Sequence, residues 1–193
     1  FPAKSGMQTV GDHISLDIHK GEIVGIVGES GSGKSMTSLA IMGLLPEEAV
    51  TEGTIVMDGE DILNMTREKR RHIQGDKMSM VFQEPMTSLN PVMKIGDQVG
   101  EVLRLHTDLN KEEIKERVIS ALGSVGRLDQ ENLMQKYPHQ LSGGMRQRVM
   151  IAMAIINKPD LIIADEPTTA LDVTVQAQIL NLLRSLHKER EST

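Results

Sequence analysis

The sequence has no cysteine, which excludes disulfide bonds and thiolate metal sites. It has no tryptophan, and its aromatic residues are Phe1, Phe82 and Tyr137. Aliphatic side chains and thirteen methionines must therefore fill the core, and the unbranched thioether of Met suits irregular gaps. Glycines and polar residues interrupt every charge-free stretch, so no transmembrane helix is expected. Residues 1–11 lack a basic segment followed by an apolar run, so no signal peptide is read there. The histidines (His13, His19, His72, His106, His139, His187) show no metal-ligand spacing and read as surface or packing residues. A net charge of −6 argues against a general nucleic-acid binder.

What is present is a chain of 193 residues with 39% hydrophobic content, enough for one sizeable core. Apolar runs bounded by turns alternate with helical patterns, which is the sequence sign of α/β architecture. His13–Ile18 alternates like a half-exposed strand, and Glu22–Val27 (EIVGIV), between two glycines, reads as a buried one. Thr54–Met57, Met78–Phe82 and Leu161–Ala164 are further strand candidates, and Lys34–Leu45 reads as a helix. Three helical stripes follow: Ile114, Val118, Leu122; Met145, Val149, Ala152, Met153, Ile156; and Val175, Ile179, Leu182, Leu183, Leu186. Each is expected to pack into the core.

Gly28-Glu29-Ser30-Gly31-Ser32-Gly33-Lys34-Ser35 matches G-x-x-x-x-G-K-S/T at every fixed position, between a strand pattern and a helix pattern. Glycines let the backbone curl so that successive N–H groups face phosphate oxygens, and the helix start, through Met36, adds a positive partial charge. Lys34 would reach the β- and γ-phosphates, and the Ser35 hydroxyl would face magnesium. Asp165, after the apolar Leu161–Ala164 run, is placed to hold the same ion. Glu166 beside it is a candidate general base for an attacking water. Leu141-Ser142-Gly143-Gly144-Met145-Arg146-Gln147 offers a second anion-ready helix start, with Ser142 as N-cap.

Together these motifs resemble the ABC ATPase family over nearly the whole chain. Leu141 to Gln147 is similar to the family's signature, with Met145 where glutamine is most often found. Asp165 and Glu166 look like the Walker B aspartate and catalytic glutamate, Gln83 like the Q-loop glutamine that reports on magnesium, and Ala170-Leu171-Asp172 like the D-loop. The segment Phe82-Gln83-Glu84-Pro85-Met86-Thr87-Ser88-Leu89-Asn90-Pro91 resembles the Q-loop of oligopeptide and dipeptide permease ATPases, a group with nickel-uptake relatives.

The resemblance implies a RecA-like P-loop core with an N-terminal antiparallel β region and an inserted helical subdomain. Residues 1–193 would form one domain, with core parts 1–94 and 136–193 and a helical part, 95–135, running on into the signature helix. It implies an ATPase subunit of an importer at the cytoplasmic face of the cell membrane, using ATP and Mg2+. Implied partners are a second ATPase subunit, two transmembrane permease subunits and, indirectly, an external solute-binding protein, with no nucleic acid. Residues Ser142 to Gly144 would bind nucleotide held by the partner ATPase. Phe1 is a candidate adenine platform. The family's further strand and its γ-phosphate histidine have no counterpart before Thr193, so a C-terminally truncated, catalytically weak chain is expected. A translation-type or DNA-repair-type ABC ATPase is the alternative. Only Glu84–Leu141 separates Q-loop from signature, without sustained heptads, which speaks against the coiled-coil repair type.

Overall fold

The computed structural model describes residues 2–3, 6–126, 129–168 and 171–190. Two short hairpins come early: β1 (Pro2–Ala3) with β2 (Gly6–Met7), and β3 (Val56–Met57) with β4 (Glu60–Asp61). The second turns through Asp58 and Gly59, both at positive φ (51° and 82°), the requirement of a two-residue turn that follows strand twist. The pair that positions the site is parallel: β5 (Met78–Val81) and β6 (Leu161–Ala164), with Met78 opposite Leu161 and Val81 opposite Ala164. The Asp165 amide extends this ladder by donating to the Val81 carbonyl at 3.0 Å.

Helix α1 (Lys34–Met42) is shorter than expected, because Gly43 adopts φ 67° and turns the chain there. The Leu44 amide then bonds back to the Leu39 carbonyl, closing the helix end. Next come α2 (Arg67–Ile73) and α3 (Pro85–Ser88). They are followed by α4 (Ile95–His106), α5 (Lys111–Ser124) and α6 (Gln130–Gln135). After these come α7 (Gly143–Ile155) and α8 (Val173–Arg190). Asn110 and Glu113 form a reciprocal capping box that starts α5.

The three predicted stripes are core. Ile114, Val118, Leu122, Val149, Ala152, Ile156, Ile179 and Leu186 are all buried, and Met145, Met153, Val175, Leu182 and Leu183 pack against them. Helices α4, α5 and α6 pack on one another, and α4 and α5 also pack on α7. Each buried Leu or Ile contributes about 1.5–3 kcal/mol relative to exposure. His187 lies inside α8.

Two expected strands are not formed. Neither His13–Ile18 nor Glu22–Val27 joins a ladder among the described residues, and Ile23 and Val27 are 65% and 94% exposed. An apolar run reports a preference for burial but does not supply a partner. The described ladder of β6 is with β5, and no strand among the described residues pairs with Glu22–Val27. The Thr54–Met57 candidate contracts to Val56–Met57, and Met78–Phe82 to Met78–Val81.

Candidate functional site

The parallel register of β5 and β6 brings their carboxyl ends level, which is where α/β sheets place ligands. Gln83 leaves β5 and Asp165 and Glu166 leave β6 at that end, and α1 starts beside them. The Ser35 hydroxyl donates to Asp165 Oδ1 at 3.0 Å, across 130 residues of sequence. Gln83 Nε2 donates to Glu166 Oε2 at 2.9 Å. Ser35, Gln83, Asp165 and Glu166, all singled out above, thus stand in one cluster, with Lys34 next to Ser35 in sequence. Glu166 holds φ 43°, a left-handed conformation that non-glycine residues seldom adopt and that is concentrated at functional sites.

The loop from Gly28 to Gly33 is shaped for a bound anion. Gly31 and Gly33 sit at φ 82° and 91°. A Cβ on Gly33 would lie 2.6 Å from the Val10 carbonyl oxygen, a backbone atom, so glycine is needed there for space as well; one on Gly28 would lie 2.6 Å from Ser32 Oγ, a hydroxyl that can rotate away. Lys34 Nζ donates to the Gly28 and Glu29 carbonyls at 2.8 and 2.9 Å, which folds its charge over the loop and leaves a third donor for a ligand. Gly33 at the N-cap of α1 contributes no side-chain cap, so first-turn amides such as those of Ser35 and Met36 remain available to an anion. Glu29, Ser30 and Ser32 are exposed. A hydroxyl and a carboxylate in contact are hard oxygen donors that suit magnesium, which takes few protein ligands and shares substrate phosphates. The cavity of about 640 Å³ lies elsewhere, against Gly43 at the far end of α1 and Arg70 of α2. There Arg70 is engaged with the carbonyls of Ile62 and Leu63.

The signature segment forms a second helix start. Ser142 Oγ accepts the Met145 amide at 3.3 Å, Leu141 is buried, Ser142 and Gly143 are exposed, and Gly144 and Met145 are half-buried. One expected member is corrected. Gln147 is only 1% exposed and faces the core one turn into α7, so its side chain is not presented to a partner. In the D-loop, Asp172 Oδ1 accepts the Val175 amide at 3.0 Å, and Leu171 packs against the core. Ala170 and Phe1 lie outside the described residues.

Gln98, which the sequence reading passed over, holds the segment after the Q-loop. It is 3% exposed, its Oε1 accepts the Asn90 amide at 2.9 Å, and its Nε2 donates to the Asn90 and Met93 carbonyls at 3.0 and 2.8 Å. A glutamine beside Ile95, Val99 and Leu103 on the buried side of α4 is the signal that could have revealed it.

The fold and this cluster define a P-loop nucleotide-binding cassette, and comparison with known proteins places it more closely. The sequence matches the ABC transporter family over residues 12–169. The chain belongs to that family. It is 50% identical over 180 residues to the dipeptide transport ATP-binding protein DppD of Bacillus subtilis, covering 92% of this chain and 54% of that protein. It is 48% identical over 189 residues to the oligopeptide transport ATP-binding protein OppD of Escherichia coli, covering 98% of this chain and 56% of that protein. The chain thus spans about half the length of these relatives. Among solved structures, it superposes on a dimeric post-hydrolysis state of the ATP-binding cassette MJ0796 bound to ADP and Pi with a TM-score of 0.79. The identity there is 34%, covering 92% of this chain and 75% of that one. The fold is therefore that of an ABC ATPase cassette. No helix among the described residues is long and apolar enough to cross a membrane.

Proposed function

We propose that this chain is the ATP-hydrolysing cassette of an ABC importer for peptides, acting at the cytoplasmic face of the cell membrane. The observation that carries the reading is the meeting of Ser35 with Asp165 at 3.0 Å beside the glycine loop, with Glu166 next in sequence. The peptide class rests on the names of the relatives and on the Phe82–Pro91 segment. In this reading residues 28–36 hold the phosphates, and Ser35, Asp165 and Gln83 hold magnesium. Magnesium, when bound, neutralises charge on the β- and γ-phosphates. Glu166 accepts a proton from the attacking water as that water's oxygen bonds to the γ-phosphorus and the bond to the ADP oxygen breaks.

Ser142–Gly144, and Met145 behind them, address nucleotide on a second ATPase subunit, and the D-loop Ala170–Asp172 lies at the same contact. Residues 95–135 act as a helical subdomain on a core of 1–94 and 136–193. The segment Gln83–Pro91 faces two permease subunits, which an external binding protein supplies with solute. Copurification tests this reading. The complete subunit should pull down two membrane subunits, and reconstituted vesicles should import a labelled peptide only with ATP. Import without ATP, or recovery with ribosomes or DNA in place of membrane subunits, would contradict it.

A further inference from the structure

The two signature glycines have different neighbours. Both lie in ordinary helical backbone of α7, and neither has the positive φ that would by itself call for glycine. A Cβ on Gly143 would meet Leu171 Cδ2 at 3.7 Å, an ordinary contact. A Cβ on Gly144 would lie 3.0 Å from Val175 Cγ1 and 3.8 Å from Cγ2, closer than packed carbons settle. Alanine fits at 143, whereas at 144 the Val175 side chain would have to give by a few tenths of an ångström.

Val175 is itself held in place. Its amide donates to Asp172 Oδ1 at 3.0 Å. The next residue, Gln176, donates from Nε2 to the Thr168 and Leu171 carbonyls at 3.2 and 3.1 Å. Further along α8, Gln178 Oε1 accepts from Arg148 of α7 at 3.0 Å. At this end the two helices are therefore joined by an apolar contact at the signature and by a hydrogen bond about one turn further along. A close-packed contact passes on displacement where a loose one would absorb it.

We propose that Val175 is a positioning residue for the signature. Its isopropyl group, seated on Gly144 and carried on backbone that Asp172 caps, sets the direction in which the amides of the α7 start point. The D-loop end and the signature then move as one body. This rests on the reading that Ser142–Gly144 bind nucleotide in trans.

The test uses the complete subunit carrying Glu166→Gln, so that bound ATP persists. ATP-dependent dimerisation is measured by sedimentation, and ATP binding to the monomer separately. Gly144→Ala should weaken dimerisation about tenfold or more, as overpacking of a tight contact does. Monomer ATP affinity should stay within about twofold, since the P-loop does not share this contact. Adding Val175→Ala should return dimerisation to within about threefold of Val175→Ala alone. A double variant as impaired as Gly144→Ala overturns the proposal. If Gly144→Ala does not fold, the double variant should fold and dimerise, and its failure to do so also overturns the contact. Gly143→Asp separates the two levels, because a carboxylate there repels phosphate. Loss of dimerisation in Gly143→Asp without rescue in the double variant removes the role of Val175 alone. Intact dimerisation in Gly143→Asp removes the trans reading and the role of Val175 together.

Discussion

Replacing Gln98 with leucine isolates what a buried amide contributes to the segment after the Q-loop. Leucine keeps a similar volume, so no cavity cost confuses the result. The side chain makes three hydrogen bonds, to the Asn90 amide and to the Asn90 and Met93 carbonyls. Each such bond nets about 0.5–1.5 kcal/mol. Asn90 is exposed, so its amide and carbonyl can return to water, whereas Met93 is half-buried and recovers less. That places the expected loss at about 2 kcal/mol, towards the lower end of what three bonds could give. With a urea slope of about 2 kcal/mol per molar, the unfolding midpoint should fall by about 1 M at constant slope. Protease cleavage between Glu84 and Lys94 should also become faster, because the turn loses its anchor. An unchanged midpoint together with unchanged cleavage would refute the assignment of Gln98 as the clamp of this segment.

Further outcomes follow from other parts of the structure. Gly33→Ala places a Cβ 2.6 Å from the Val10 carbonyl at φ 91°, so ATP binding should fall by about tenfold or more, and unchanged affinity by calorimetry would count against the phosphate cradle. Residues Ile23–Val27 join no ladder among the described residues, so in this chain their amides should exchange with deuterium far faster than those of Met78–Val81, and equal protection would contradict the fold. Asp61 accepts from Asn64, Ile55 and Leu63 beside the β3–β4 turn. Burial works against its charge, but donors from Asn64, Ile55 and Leu63 outweigh this and hold its pKa below the ordinary carboxylate value. Its contribution is therefore present above the ordinary carboxylate range and is lost as pH falls through the lowered value. Asp61→Asn should flatten the acid limb of a stability profile, and an unchanged limb would refute the linkage.

The site was legible where chemistry demands fixed residue types at fixed spacing. Gly28 to Ser35 could be read as a phosphate loop because few other uses need those glycines next to a lysine and a serine. Asp165 could be placed because its apolar strand ends in a carboxylate on a chain with a complete phosphate loop upstream; alone, such a strand end is common at a surface. The core stripes were legible from period alone, since Ile114, Val118 and Leu122 have no reason to align unless one face is buried. What stayed hidden depends on distant partners. Strand formation at Glu22–Val27 needs a neighbour that local pattern cannot provide. The length of α1 was set by Gly43, whose left-handed turn overrode the apolar Leu44 and Leu45. Gln147 looked like a continuation of the signature, but one turn of helix rotates it into the core.

In the proposed function Glu166 is the base of an ATPase whose magnesium is held by Ser35, Asp165 and Gln83. The most direct measurement is steady-state ATP turnover of the complete subunit, wild type against Glu166→Gln, with ATP binding measured alongside. ATP affinity should be retained, while turnover falls by about a hundredfold or more, as expected on losing a general base. Equal turnover in the two proteins would contradict the assignment.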